Sequence, residues 1–174
     1  MAPVETSYFQ TGFWHFFAKR APWLVALFVG GSFTRDVMSG FEDLIRQATV
    51  LVLFLPLILS SGGNSGSQSA SIIIRGLAVG EIRLNQAWRV LLREWGMGLA
   101  LGLTLGLIGI TRAVLWGETS NLAFVVAIAL VCVVTVGTTI GSMLPILLER
   151  IGLDPAVSST PFIASVVDVL GLMV

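Results

Sequence analysis

The sequence has 174 residues, of which 55% are hydrophobic and only 11% are charged, and its mean hydropathy is +0.92. Soluble domains have about a quarter of their residues charged, so this composition is that of an integral membrane protein. Ten basic and ten acidic residues give zero net charge, so nothing points to nucleic acid as a partner. The sequence also lacks a metal-binding Cys/His spacing, a phosphate-binding loop and a nucleophile motif, so we expect no enzyme.

The N-terminal segment from Tyr8 to Arg20 has aromatic side chains at helical spacing and ends in two basic residues. Aromatic residues beside basic ones are typical of a helix at the membrane interface. We therefore predict an N-terminal interfacial, linker-like helix over residues 1–20 and a five-helix transmembrane domain over residues 21–174. The first span is predicted to begin at Pro22, because proline suits the first turn of a helix.

The second predicted span begins at Thr49 and leads into a run of small polar residues between Ser60 and Ser71. In lipid, each backbone amide needs a protein partner or a water-filled cavity, so adjacent glycines suit a lipid-facing helix poorly. We expect a break, a bend or a close contact here, lining an aqueous path, with a kink at Pro56. The alternative is that the small residues only let neighbouring helices pack closely.

The segment after the second span is rich in arginine and contains two tryptophans, Trp88 and Trp95. By the positive-inside rule this loop is cytoplasmic, and so are Lys19 and Arg20, because two spans separate them from it. We therefore predict a multi-pass protein of the cell membrane with a cytoplasmic N-terminus. Five spans then place the C-terminus at Val174 outside.

The third and fourth predicted spans carry small residues in regular patterns. The third span, from Gly96 to Trp116, has a glycine at every fourth position, which predicts a close-packing stripe for another helix. The fourth span, from Asn121 to Leu148, contains four hydroxyl side chains that either bond back to the preceding turn or face water. These are Thr135, Thr138, Thr139 and Ser142.

The fifth span is predicted to start at Asp154-Pro155 and contains an acidic residue, Asp168, roughly 20 Å from its start. An unpaired carboxylate at the bilayer centre costs at least about 2.5–3.5 kcal/mol, and no lysine or arginine stands at comparable depth. We predict that Asp168 is protonated, hydrated in a cavity or bound to a cation; the structural alternative is a neutral acid bonded to a neighbouring helix. Ala164 and Gly171 keep its face open, and such a face offers the oxygen ligands that hard divalent cations prefer.

Three stretches of this sequence together resemble the membrane domain of the MgtE family of magnesium channels and transporters. They are PLILSSGGNSGSQSASIIIRGLAVGEI at 56–82, GSMLP at 141–145 and DPAVSSTPFIASVVDVLG at 154–171. The resemblance implies an all-α integral membrane protein that forms a homodimer of protomers with five transmembrane helices each. It further implies an ion path at the dimer interface, formed mainly by the second and fifth spans.

The resemblance also implies which residues surround the ion. Asp168 of both protomers is expected to hold a hydrated Mg2+ in the pore. The other candidate positions for the metal site are Gly63, Asn64, Ser67, Ser71, Thr160, Ala164 and Gly171. Many members have asparagine where Ser67 and Thr160 stand; a hydroxyl still bonds to metal-bound water, and the selectivity for Mg2+ over Mn2+, Co2+ or Ca2+ stays open.

Family members typically carry a cytosolic Mg2+-sensing domain and a paired CBS region ahead of the membrane domain, and neither fits before Pro22. We therefore expect a separate or removed cytosolic regulatory region, and a pore that cytosolic Mg2+ does not shut. Two rival functions stay open. One is a proton- or sodium-coupled divalent cation carrier in which Asp168 exchanges a proton, and the other is a non-transporting membrane subunit in which Asp168 is an assembly contact.

Overall fold

The computed structural model of the protein describes residues 12–43, 49–155 and 160–173. Within these residues the regular secondary structure is helical throughout, with five α-helices and one turn of 3-10 helix at Leu84–Gln86. The α-helices are α1 (Phe13–Gly40), α2 (Thr49–Ala78), α3 (Ala87–Leu115), α4 (Ser120–Arg150) and α5 (Thr160–Leu172). The predicted all-α class is confirmed.

Three stretches of the described chain are long and apolar enough to cross a membrane. They are Val50–Ala78, Leu84–Leu115 and Ser120–Arg150. A shorter apolar stretch, Pro161–Leu172, lies in α5. The predicted second, third and fourth spans are thereby confirmed as membrane-spanning candidates, whereas the count of five spans stays a prediction.

The predicted helix start at Pro22 is wrong, because α1 continues from Phe13 to Gly40 with Pro22 inside it. Proline removes a single backbone donor, and neighbouring groups in an apolar helix can satisfy the carbonyl that it frees. Residues 8–11 of the predicted interfacial helix lie outside the described residues. No helix end separates the predicted units 1–20 and 21–174, and that division stays a prediction.

The predicted break in the polar run is also wrong, because α2 is continuous through Pro56 and the adjacent glycines. These glycines bring α2 against α4 instead. A Cβ added to Gly66 would lie 2.8 Å from the carbonyl oxygen of Gly137, and one added to Gly141 would collide with the carbonyl oxygen of Gly66. The helices therefore touch main chain to main chain, which is the close contact that both readings of the run allowed; the aqueous path beside it stays a prediction.

The predicted glycine stripe of α3 is confirmed as the contact with α4. Gly98, Gly102 and Gly106 are all buried on α3. A Cβ on Gly102 would lie 2.8 Å from the Cα of Val131, and one on Gly106 would lie 3.2 Å from the carbonyl oxygen of Ala127. Residue numbers rise along α3 as they fall along α4, so these two helices are antiparallel.

The hydroxyl groups of α4 bond back to their own helix. Thr135 donates to the carbonyl oxygen of Val131 at 2.7 Å, and Thr139 donates to that of Thr135 at 2.7 Å. Thr138 and Ser142 make the same kind of bond at 2.9 Å and 3.0 Å. Of the two predicted roles, the structure favours the structural one.

Helix α5 lies between α2 and α1. Ile163 and Val167 of α5 are fully buried in the core. The opposite face of α5 meets α1, where the rings of Phe162 and Trp23 lie 6.1 Å apart beside an apolar cavity of about 370 Å³. Asp168 is half-buried and lies beside α2, near Gly63.

Candidate cation site

The carboxylate of Asp168 lies beside a glycine of α2. A Cβ added to Gly63 would stand 3.9 Å from Oδ1 of Asp168 and 3.5 Å from the Cβ of Ala164. Ala164 and Asp168 are four residues apart on α5, so both face the same side of that helix. The small residues Gly63 and Ala164 thus leave the carboxylate free of bulky neighbours on this side.

Asp168 forms no hydrogen bond and no ion pair within residues 12–43, 49–155 and 160–173. The arginine predicted to lie nearest in depth, Arg112, is in the last turn of α3, and its guanidinium lies 4.7 Å from the ring centroid of Trp116. A carboxylate in an apolar helix is costly unless a proton, water or a cation compensates it. Within the described chain, the alternative of a neutral acid bonded to a neighbouring helix therefore finds no partner.

Polar side chains continue along α2 beyond Gly63 and line an open groove of about 560 Å³. The lining residues are Asn64, Ser67, Gln68, Ser71 and Ile72. Ser67 is 8% exposed, whereas Asn64 and Ser71 are exposed. The Ser71 hydroxyl donates to the carbonyl oxygen of Ser67 at 2.8 Å, which leaves the hydroxyl oxygen able to accept a hydrogen bond from metal-bound water.

The structure brings six of the predicted site residues together in two groups and leaves Gly171 apart. Gly63, Ala164 and Asp168 meet between α2 and α5, and Asn64, Ser67 and Ser71 follow along the groove. Gly171 packs inward, where an added Cβ would lie 3.1 Å from Val133 and 3.2 Å from Leu59. Thr160 begins α5, and its side chain lies outside the described part of the protein.

One lining residue, Gln68, is not among the site residues predicted from the sequence. It is exposed in the groove and presents an amide oxygen and two N–H donors there. Its position four residues after Asn64 is the pattern that places two side chains on one helix face. That spacing indicates its membership of the groove once α2 is known to be one continuous helix.

Comparison with known proteins identifies the family. Residues 55–174 match the MgtE family, described as divalent cation transporter. The magnesium transporter MgtE of Thermus thermophilus is 42% identical over 155 residues, which cover 89% of this chain and 34% of that protein. The proteins of the same name from Enterococcus faecalis and Bacillus subtilis are 34% and 32% identical, over 90% of this chain and 35% of theirs. The chain spans about a third of the length of these curated relatives, and it belongs to the MgtE family of divalent cation transporters.

Proposed function

We propose that this chain forms a path for hydrated divalent cations, Mg2+ above all, between two copies of itself in the cell membrane. The observation that carries the proposal is the half-buried carboxylate of Asp168, which lies beside Gly63 and has no partner within the described residues. Membrane carboxylates without a basic partner are characteristic of ion pathways. The three relatives named as magnesium transporters support Mg2+ as the transported ion.

The charge of the ion supports a second copy of the chain. One carboxylate offsets only half the charge of a divalent cation, and an uncompensated charge in the membrane is costly. The described residues contain no group of three or more His, Cys, Asp or Glu that would hold a metal ion. A two-fold axis beside the groove would bring Asp168 of each copy to one ion and would cover the exposed side chains of Asn64 and Ser71.

The hydration chemistry of Mg2+ fits a site of this kind. Mg2+ loses its water reluctantly and usually keeps several water molecules when it binds to a protein. Two Asp168 carboxylates would hold the ion through that water, and the oxygens of Ser67, Gln68 and Ser71 would accept hydrogen bonds from it. A membrane potential that is negative inside then drives entry by about 2.3 kcal/mol per charge per 100 mV, and twice that for a divalent ion.

A cysteine placed in the groove tests both the path and the second copy. The chain has a single cysteine, Cys132, so Ser71→Cys in a Cys132→Ser background carries one exposed thiol. We expect a positively charged methanethiosulfonate to block Mg2+ flux into proteoliposomes, and Mg2+ to slow the reaction. Oxidation should join two copies through position 71, because the groove faces the partner.

Thr104→Cys is the matched control for this experiment. The Thr104 hydroxyl is also exposed and also bonds back one turn, to Ala100 at 2.9 Å, but it lies on α3. Modification there should leave flux unchanged. Flux that is insensitive to modification at position 71, or equally sensitive at both positions, would contradict a path along this groove.

The α4 hydroxyls provide a second prediction, because the structure turns them towards their own helix. We expect Thr139→Val to change the free energy of unfolding by about 1 kcal/mol or less, since only one intrahelical side-chain bond is lost. Thermal unfolding in detergent measures the stability, and Mg2+ flux should stay at the wild-type level. A variant that keeps its stability but loses flux would instead place this hydroxyl on the ion path.

A further inference from the structure

A second polar cavity, of about 570 Å³, lies between α2 and α3 and the segment that joins them. It is lined by Ser65 and Ser69 of α2, which are each two residues beyond Gly63 and Ser67. A separation of two residues turns about 200° around a helix, so Ser65 and Ser69 point away from Gly63 and Ser67. The cavity nevertheless adjoins the groove of the cation site, because Gln68 and Ile72 line both. Of the residues that line this cavity, the proposed transport function uses only Gln68.

Two acceptor groups that are at least half-buried in this cavity lack a cationic partner within the described residues, and the exposed Glu81 lines it as well. The hydroxyl oxygen of Ser65 is buried, with the residue 7% exposed, and has no hydrogen-bond partner within the described chain. Glu94 is half-buried and accepts a hydrogen bond from the Ser69 hydroxyl at 2.6 Å, and it forms no ion pair with the residues described. A buried hydroxyl and a carboxylate with a neutral partner both favour a ligand that brings N–H donors and positive charge.

The same cavity also presents two cations at the level of the lipid headgroups. Arg89 and Arg93 line it from the first two turns of α3. Trp88 and Trp95, near these arginines in the sequence of α3, are 66% and 52% exposed, and exposed tryptophans beside arginines are typical of the membrane interface. Guanidinium groups at this level suit a phosphate, which they bind through paired N–H donors.

The wall of the cavity becomes apolar along α3 towards the middle of the helix. Met97 and Leu101 line it one and two turns beyond Arg93 and are 48% and 39% exposed. Ile72 of α2 also lines it and is 63% exposed. An open apolar wall that continues from a polar end matches an acyl chain below a headgroup.

We propose that this cavity binds a phospholipid with a primary ammonium headgroup, phosphatidylethanolamine. The phosphate lies against Arg89 and Arg93, the ammonium donates to Glu94 and Ser65, and an acyl chain follows Met97 and Leu101. A divalent cation fits less well, because Arg89 and Arg93 offset the charges of Glu81 and Glu94 in the same space. An anionic lipid without an amine would satisfy the arginines but would leave Glu94 and Ser65 without a donor.

Native mass spectrometry of the detergent-solubilised protein tests this proposal with defined lipids. Phosphatidylcholine has the same net charge as phosphatidylethanolamine, but its quaternary ammonium has no N–H donor. We expect phosphatidylethanolamine to bind about tenfold more tightly than phosphatidylcholine, the effect of about one hydrogen bond to a charged group. Glu94→Gln should remove this preference. The double variant with Arg89→Gln and Arg93→Gln should weaken the binding of both lipids to the same extent.

Arg112→Gln is the control for the arginine variants, because Arg112 lies at the far end of α3. It should leave both lipid affinities unchanged. Ser65→Ala, a smaller change than Glu94→Gln, should reduce the preference and serves where the glutamate variant fails to fold. Equal binding of the two lipids by the wild-type protein, or an undiminished preference in Glu94→Gln or Ser65→Ala, would overturn the proposal.

Two further outcomes would assign the cavity to another ligand. Tighter binding of phosphatidylglycerol than of phosphatidylethanolamine would make it an anionic-lipid site. Bound Mn2+ that is detected by electron paramagnetic resonance and lost in Glu94→Gln, but kept in Asp168→Asn, would make it a cation site. Each result overturns the proposal independently of the transport function, because no readout depends on flux.

Discussion

Asp168→Asn should abolish Mg2+ flux into proteoliposomes at low Mg2+ concentration while the two copies remain associated. The substitution keeps the size of the side chain and removes its charge. Replacing a hydrogen bond to a charged group by one to a neutral group costs about 1.4 kcal/mol, or about tenfold in affinity. Two such sites around one ion would lower the affinity for Mg2+ about 100-fold.

Asp36→Asn is the matched control for this experiment. Asp36 is an exposed acid on α1 with Arg35 at 3.7 Å, and it lies far from the groove in sequence. We expect its variant to transport normally. Size-exclusion chromatography with light scattering should show the same assembly for wild type and both variants.

The results for Asp168→Asn also separate the three functions. Unchanged flux would mean that the ion path avoids this aspartate, and loss of the dimer would make Asp168 an assembly contact. Flux of the wild-type protein that requires a proton gradient would favour a coupled carrier. Flux that follows the membrane potential alone, and is lost with the dimer preserved, supports the proposed path.

Gly141→Ala should have the largest effect on stability, lowering the free energy of unfolding by about 3 kcal/mol or more. The new methyl group would meet the carbonyl oxygen of Gly66 and would stand 2.8 Å from its Cα. A side chain in this place could turn away, but two main chains within helices have no such freedom. The two helices would therefore have to separate along their whole contact.

Gly96→Ala is the control, because a Cβ at this exposed position of α3 meets nothing within 4 Å. Alanine is a better helix former than glycine, so this variant should be more stable by about 0.5–1 kcal/mol. Thermal unfolding in detergent, monitored by circular dichroism, measures the stability of both variants. Equal unfolding temperatures for the two variants would contradict the close contact between α2 and α4.

Some contacts of this fold were predictable because their pattern lies within one helix. The glycines at 98, 102 and 106 recur every fourth residue, and that period places them on one face whatever the partner is. The hydroxyls of α4 are a similar case, since their acceptors lie one turn away in the same helix. For these hydroxyls, local spacing was sufficient to predict either a bond to the preceding turn or contact with water.

Other features depended on residues far away in the sequence. Gly62 and Gly66 have the composition of a helix break, and only Gly137 and Gly141, more than 70 residues later, turn them into a packing contact. Pro22 misled for a different reason, because a helix that starts at Phe13 runs on through it and its preference for a helix start did not decide where α1 begins. The cavity beside Glu94 was not predicted, since Ser65 and Ser69 are one turn apart on α2 but Glu94 follows Ser69 by 25 residues.

The candidate cation site was predictable only in part. Asp168 was identifiable from the sequence as a carboxylate in an apolar stretch, because the free-energy cost of a charge in the membrane does not depend on the fold. Its position beside Gly63 required the pairing of α2 with α5. Gly171 shares the face of Asp168 by helical spacing, yet Val133 and Leu59 fill its surroundings, which no spacing within α5 could indicate.

The main-chain contact between α2 and α4 also limits how the sequence can vary. Where two side chains meet, a larger residue on one helix can be matched by a smaller one on the other. At Gly66 and Gly141 both residues are already the smallest there is, so no compensating partner exists. A substitution at either position would also force apart the neighbouring pair of Gly62 and Gly137, and each glycine is therefore constrained by three others at once.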